Sequence, residues 1–153
     1  MWCPLCAREY RPGFAQCAEC FIDLIASEPP RPIIPQDSVE EARTYGLAPD
    51  GVYRALRDVV TDVGWTVTVE SADLRALRAM APETFFSPAV DMGVHVVEVH
   101  EGTTWVRGCG APEGMTLMFV APYARRDEGR ARQLLDRFFN ALDHRLNNLP
   151  EVP

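Results

Sequence analysis

Cys3-Pro4-Leu5-Cys6 and Cys17-Ala18-Glu19-Cys20, with ten residues between them, hold four of the chain's five cysteines. Each C-x2-C step offers two thiolates from one tight turn, and the short connection lets the four sulfurs close a tetrahedron, the geometry Zn²⁺ accepts most readily. The reading is one zinc ion held by Cys3, Cys6, Cys17 and Cys20. Four thiolates leave no open coordination position for a water or a substrate, so the expected role of the metal is structural. A segment this short buries too little apolar surface to fold unaided, which makes the metal the reason it folds. A thiol-switch reading needs a thioredoxin-like strand and helix around one C-x-x-C, and the sequence supplies neither.

Arg8-Glu9-Tyr10 and Gly13-Phe14 fill the interval between the knuckles. In this order of knuckle, hairpin, knuckle, Cys3 to Leu24 resembles the zinc ribbons, or treble-clef-like zinc knuckles, that open many small bacterial proteins. The resemblance implies the same four ligands. Where that family usually carries glycine after the second cysteine of each knuckle, this chain has Ala7 and Phe21. A side chain at positive φ costs about 1 kcal/mol or more. Structural zinc in small peptides contributes on the order of 10–16 kcal/mol, enough to hold both turns.

Beyond the ribbon, Ser27 to Pro35 has four prolines in nine residues and reads as a semi-rigid spacer. Ser38-Val39-Glu40-Glu41 has capping-box spacing, so a short helix ending near Gly46 is expected. The boundaries that follow are a zinc ribbon over 1–26, a linker over 27–49 and a larger domain over 50–153. That domain opens on a helix from an Asp50 cap, with Val52, Leu56, Val59, Val60 and Val63 on one face and Gly64 as the stop. Trp65 to Glu70 alternates as a half-buried strand. Ser71-Ala72-Asp73 then suits a turn into a second strand through Ala81, with a helix over 74–81 as the alternative. Phe85 and Phe86 fall in a loop or short edge strand.

Met92 to His100 and Thr103 to Arg107 read as a hairpin turning at Glu101-Gly102, with Val96-Val97 marking a bulge or a stretch buried on both faces. Gly108 to Gly114 reads as a flexible loop and Met115 to Ala121 as another strand. Asp127 to Leu149 gives a long helix with Ala131, Leu134, Leu135, Phe138, Leu142, Leu146 and Leu149 as its apolar stripe. The fold class is therefore α+β, a ribbon followed by a two-layer domain of antiparallel sheet and long terminal helix. Its topology is similar to helix-grip folds.

The chain has 153 residues, and all 15 of its basic residues are arginine. Without lysine there is no Schiff-base nucleophile and no Walker-type phosphate loop. The net charge of −7, with only Arg8 and Arg11 against Glu9, Glu19 and Asp23 in the ribbon, argues against nucleic acid as a partner. No apolar run reaches the roughly 20 residues needed to span a bilayer. A metal ligand at the third residue leaves no space for a leader, so a reducing cytoplasm is the expected compartment.

Other candidate sites read more simply as structure. Cys109, between Gly108 and Gly110 and downstream of His95 and His100, has the ingredients of a thiol nucleophile and base. It lacks an oxyanion motif and is better read as a small hydrophobe. Asp91, His95 and Glu98 do not suit a second metal, because 95 and 98 point to opposite faces of a strand. Arg125, Arg126 and Arg130 open a solvated helix face that suits an anion or an acidic partner. Phe85, Phe86 and Trp105 are either core or an exposed patch. The functional expectation is a non-enzymatic binding module, a protein–protein adaptor or regulator compatible with homodimerisation. The alternative is a small-ligand or enzymatic domain with its cavity between sheet and terminal helix.

Overall fold

The structure is a computed structural model; it describes the chain apart from Pro30, Arg31, Gln36, Asp37 and residues 84–88, 113–120 and 149–153, and the side chains of residue 112 and of 121–127. Its elements run β1 (Val39–Tyr45), α1 (Pro49–Asp62), β2 (Thr66–Ser71), β3 (Ala76–Ala81), β4 (Val90–His100), β5 (Thr103–Pro112) and α2 (Ala121–Asn147). The five strands form one antiparallel sheet in the order β1-β5-β4-β3-β2. This is the expected α+β class, with the long helix at its C-terminal end.

α1 starts one residue before the expected cap. Ala48 is the N-cap and Pro49 takes the first helical position, where its missing N–H goes unneeded; Asp50 becomes a first-turn acid. Gly64, at φ +80°, ends the helix as expected. Within 74–81 the chain is strand, not helix: β3 occupies Ala76–Ala81 after a turn at 72–75. β2 is more exposed than expected, with a register shift between Val67 and Val69.

Two expectations are corrected. The short helix expected from Ser38 is the strand β1, which lies inside the span expected to be linker. Val39, Glu41, Arg43 and Tyr45 alternate with exposed residues, and the whole strand pairs with β5 from Val39 opposite Gly110 to Tyr45 opposite Thr104. A ladder over seven residues satisfies more backbone than two turns of isolated helix. The flexible loop expected from Gly108 is strand as far as Pro112, because its glycines lie beneath α2. The expected strand over 115–121 lies outside the described residues except for Ala121, which opens α2; Phe85, Phe86, Leu149 and the side chains of Arg125 and Arg126 also lie outside them.

One face of the sheet meets the helices. Leu77, Ala79, Met92, Val94 and Val106 pack there against Leu56, Val59 and Val60 of α1 and Ala131, Leu135, Phe138, Phe139 and Leu142 of α2. Trp65 stacks on Phe138 at 5.6 Å, and the Arg43 guanidinium lies 5.0 Å from the Phe139 ring centre. α2 sits so close to β5 that a Cβ added at Gly108 would come 2.9 Å from Leu135 Cδ2 and 3.0 Å from Phe139 Cε2. Between β5 and the middle of α2 the layers are in contact.

β4 is buried at every residue from Val90 to Val96, so its opposite face is covered too. Two-sided burial was expected at Val96-Val97; the buried run lies before that step and ends at Val96, with Val97 half-buried. The register shift lies slightly further on, between Glu98 and His100. The cover on this second face is the cysteine segment and the chain that follows it.

Candidate metal centre

The cysteine segment repeats one small device. Cys3 N–H donates to Arg8 O at 3.0 Å and Ala7 N–H to Cys3 O at 2.9 Å; in the second knuckle Cys17 N–H donates to Ile22 O and Phe21 N–H to Cys17 O, both at 2.9 Å. In each knuckle the backbone then turns left-handed, at Ala7 (φ 54°) and Phe21 (φ 56°), the two positions where glycine was missed. Hydrogen bonds from Trp2 N–H to Ile25 O and back, at 2.7 and 2.8 Å, close the segment on itself.

These turns bring Cys3, Cys6, Cys17 and Cys20 together, all buried, with their four sulfurs within 4.8 Å of one another. Among the described residues this is the group able to hold a metal ion. The surroundings fit thiolates. Cys6 N–H points at Cys3 Sγ at 3.5 Å, Cys20 N–H at Cys17 Sγ at 3.4 Å, and Tyr10 Oη donates to Cys17 Sγ at 3.2 Å. Donors aimed at sulfur spread the negative charge that four thiolates around a divalent cation would carry.

Sequence reading missed a fourth donor. Arg107 of β5, 6% exposed, extends Nη1 to Cys20 Sγ at 3.7 Å while Nε donates to Glu40 Oε2 at 3.2 Å. Burial works against the Arg107 charge, but the Glu40 carboxylate, backed by the Cys20 sulfur, outweighs it and holds the guanidinium firmly protonated. A residue 87 positions from its partner leaves no spacing signal to read.

The cover continues through the strap after the knuckles. Ile34 N–H donates to Leu5 O at 2.9 Å, and Ile33 and Ile34 are buried with Leu5, Leu24, Ala76, Cys109 and the ligand cysteines in one cluster. Backbone meets backbone at Gly93: a Cβ there would lie 2.6 Å from Ile33 O and 2.7 Å from Pro35 Cδ. Arg78 anchors the same strap, donating to Pro32 O and, from Nε at 2.6 Å, to Asp91 Oδ1.

The other candidates fall into place under this cover. Cys109 has no exposed surface, and burial, only partly opposed by Arg107, pushes its thiol up to about 12. Such a thiol is protonated at neutral pH and is no nucleophile. His95 is 1% exposed, and burial together with the Arg107 charge lowers it to about 4. Its Nδ1 has no hydrogen-bond partner among the described residues. Asp91 is engaged by Arg78 and Glu98 is exposed, so neither joins His95 in a metal site.

No protein-family model matches the chain, and no curated protein matches it in sequence. Solved structures share its shape. Ara h 8.0201 overlays with a TM-score of 0.50 at 12% identity, over 72% of this chain and 98% of its own. TTHA0849 from Thermus thermophilus gives 0.49 at 14%, over 71% and 95%. The likeness to the first is one of fold alone.

Proposed function

We propose that the chain is a zinc-stabilised, non-catalytic binding module, a protein–protein adaptor or regulatory unit. The observation that carries this reading is the centre itself: four soft sulfur donors, buried and backed by N–H and O–H groups, suit a single tetrahedral Zn²⁺. A site filled by four thiolates has no position for a substrate, so the ion holds structure. Tyr10 and Arg107 orient and partly neutralise the sulfurs, and the knuckle turns fix their spacing.

The rival reading, a ligand cavity between sheet and terminal helix, is opposed by the direct contact of Leu135 and Phe139 with Gly108. Buried thiolate ligands also suit a reducing compartment such as the cytoplasm. No described helix is long and apolar enough to cross a membrane. The net charge of −7 disfavours nucleic acid and leaves another protein as the favoured partner.

Native mass spectrometry of untagged protein, purified without chelator, tests the reading and reports any homodimer. The expected mass is the chain plus one zinc per protomer with no further adduct, and the Cys17→Ser/Cys20→Ser variant should lose the metal. A co-purifying small molecule would replace the adaptor reading, and zinc retained in the variant would overturn the ligand assignment.

A further inference from the structure

Where the cysteine segment meets the sheet it leaves an open groove of about 570 Å³. Its apolar end is formed by Phe21 from the second knuckle, Trp105 from β5 and Ala42 from β1, with Phe21 edge-on to Trp105 at 6.1 Å. Phe21 is 57% exposed and sits at φ 56°, a conformation that costs a residue with a Cβ about 1–2 kcal/mol. A strained aromatic residue that leaves more than half of its surface exposed is better explained by an occupant of the groove than by the core.

The rest of the lining is charged. Glu19, Glu40 and Glu41 stand against Arg8 and Arg107. The pairing is mutual: Arg8 engages Glu19, and Arg107 engages Glu40 and the Cys20 sulfur. Glu41 is held by Arg43, which it shares with Asp143, so the three carboxylates of the lining outnumber its two arginines by a single charge. The cysteine thiolates behind Arg107 add further negative charge, and the chain as a whole carries −7. The complementary occupant is basic.

Its shape is indicated by β1. This strand is the edge of the sheet, paired to β5 alone among the described residues, and its groove-lining residue Ala42 is exposed and small. An extended chain can lie along such an edge and take main-chain hydrogen bonds from it. A second copy of this protein is a poor occupant, since it would bring the same carboxylates to the same place.

We infer that this seam is a docking groove for an extended, basic segment of a partner protein, and that the groove exists only while the four cysteines hold their metal. The inference rests on the protein-binding reading and adds its location, partner chemistry and control. The control follows from construction: Phe21, Glu19 and Arg8 come from a segment whose buried set is four cysteines with Leu5 and Leu24, so loss of metal removes one wall.

The test is selection from a display library of random twelve-residue peptides on the full zinc-loaded chain. Two variants follow: Phe21→Gly, which suits the left-handed turn and so keeps the fold, and Ala42→Arg at an exposed position. Enriched peptides should carry arginine or lysine alternating with apolar residues. Their affinity should fall about tenfold or more in each variant and vanish on chelation. Basic peptides indifferent to both variants would overturn the groove yet leave the protein-binding reading standing, and an absence of basic enrichment would also overturn it. A dimer dissociated by Ala42→Arg in the native spectrum would give the groove to self-association and overturn the proposed partner. A small-molecule adduct in that spectrum is the separate outcome that removes the underlying reading.

Discussion

On its helix side the sheet meets Phe138, Phe139, Leu135 and Leu142, whereas on its other side it meets Leu5, Leu24, Ile33, Ile34 and four cysteine sulfurs. The first cover is made of large side chains on two helices long enough to bury a continuous apolar face. The second comes from a segment with little regular structure, whose backbone is fixed by knuckle turns, isolated bridges and the sulfur cluster. One sheet therefore carries a core that rests on apolar burial and another built around a cysteine cluster placed to hold a metal. The contrast predicts that the two sides fail separately.

Metal removal should produce the largest effect. Structural zinc in small peptides is worth on the order of 10–16 kcal/mol. With a strong chelator, hydrogen exchange should show the amides of the knuckles and of the strap at Ile33 and Ile34 losing protection, while α1 and α2 keep theirs. Simultaneous loss in α2 would mean that the two covers form one cooperative unit. The mirror experiment is Phe138→Ala, a buried aromatic truncation that should cost about 3–5 kcal/mol. Its denaturation midpoint should fall sharply while one metal per chain is retained under native conditions.

Acid probes the boundary between the two regions. His95 lies on the sheet beneath the cysteine cover, is held neutral by burial and by Arg107, and has a folded value of about 4 against an ordinary 6.5. The unfolded chain therefore binds the extra proton first, and His95 withdraws stability progressively as pH falls from about 6.5 to about 4. The full shift corresponds to about 3 kcal/mol. His95→Leu should flatten that part of the stability–pH curve relative to the parent, both measured zinc-loaded by denaturant titration. Parallel curves would show that His95 titrates normally in the folded protein.

Legibility in the sequence divides along the same line. The four cysteines, both helices and the β4–β5 hairpin were readable because local spacing determines them: C-x2-C knuckles, the stripe from Ala131 to Leu146, and Glu101-Gly102 between strands. β1 was misread because Ser38-Val39-Glu40-Glu41 offers a plausible cap, and only β5, 59 to 71 residues away along the paired register, supplies the ladder that overrides it. The segment from Gly108 was misread as a loop because glycines flank Cys109 on both sides. In the fold they are gaps left for α2 on one face, while the cysteine points to the covered face. Arg107 and the Phe21–Trp105 pair depend on how the knuckles rest on the sheet, which no local pattern encodes. Phe21 did leave one trace, as a bulky residue where a glycine was expected.

The smallest effects come from a pair of opposite substitutions. At Gly93 the strap backbone lies against the sheet, so Gly93→Ala forces Ile33 and Pro35 outward and should cost about 1–3 kcal/mol, read as easier metal loss and weaker protection of the strap. At Ala7 the reverse holds. The φ of 54° penalises its Cβ, and Ala7→Gly relieves that strain while giving the unfolded chain more freedom, for a net gain of no more than about 1 kcal/mol. Chelator competition should show up to about fivefold tighter metal retention, because that free energy is stored in the metal-bound turn. If Ala7→Gly instead weakened retention, the left-handed turn would not be under strain, and the idea that the metal holds the knuckles against their own backbone preference would fail.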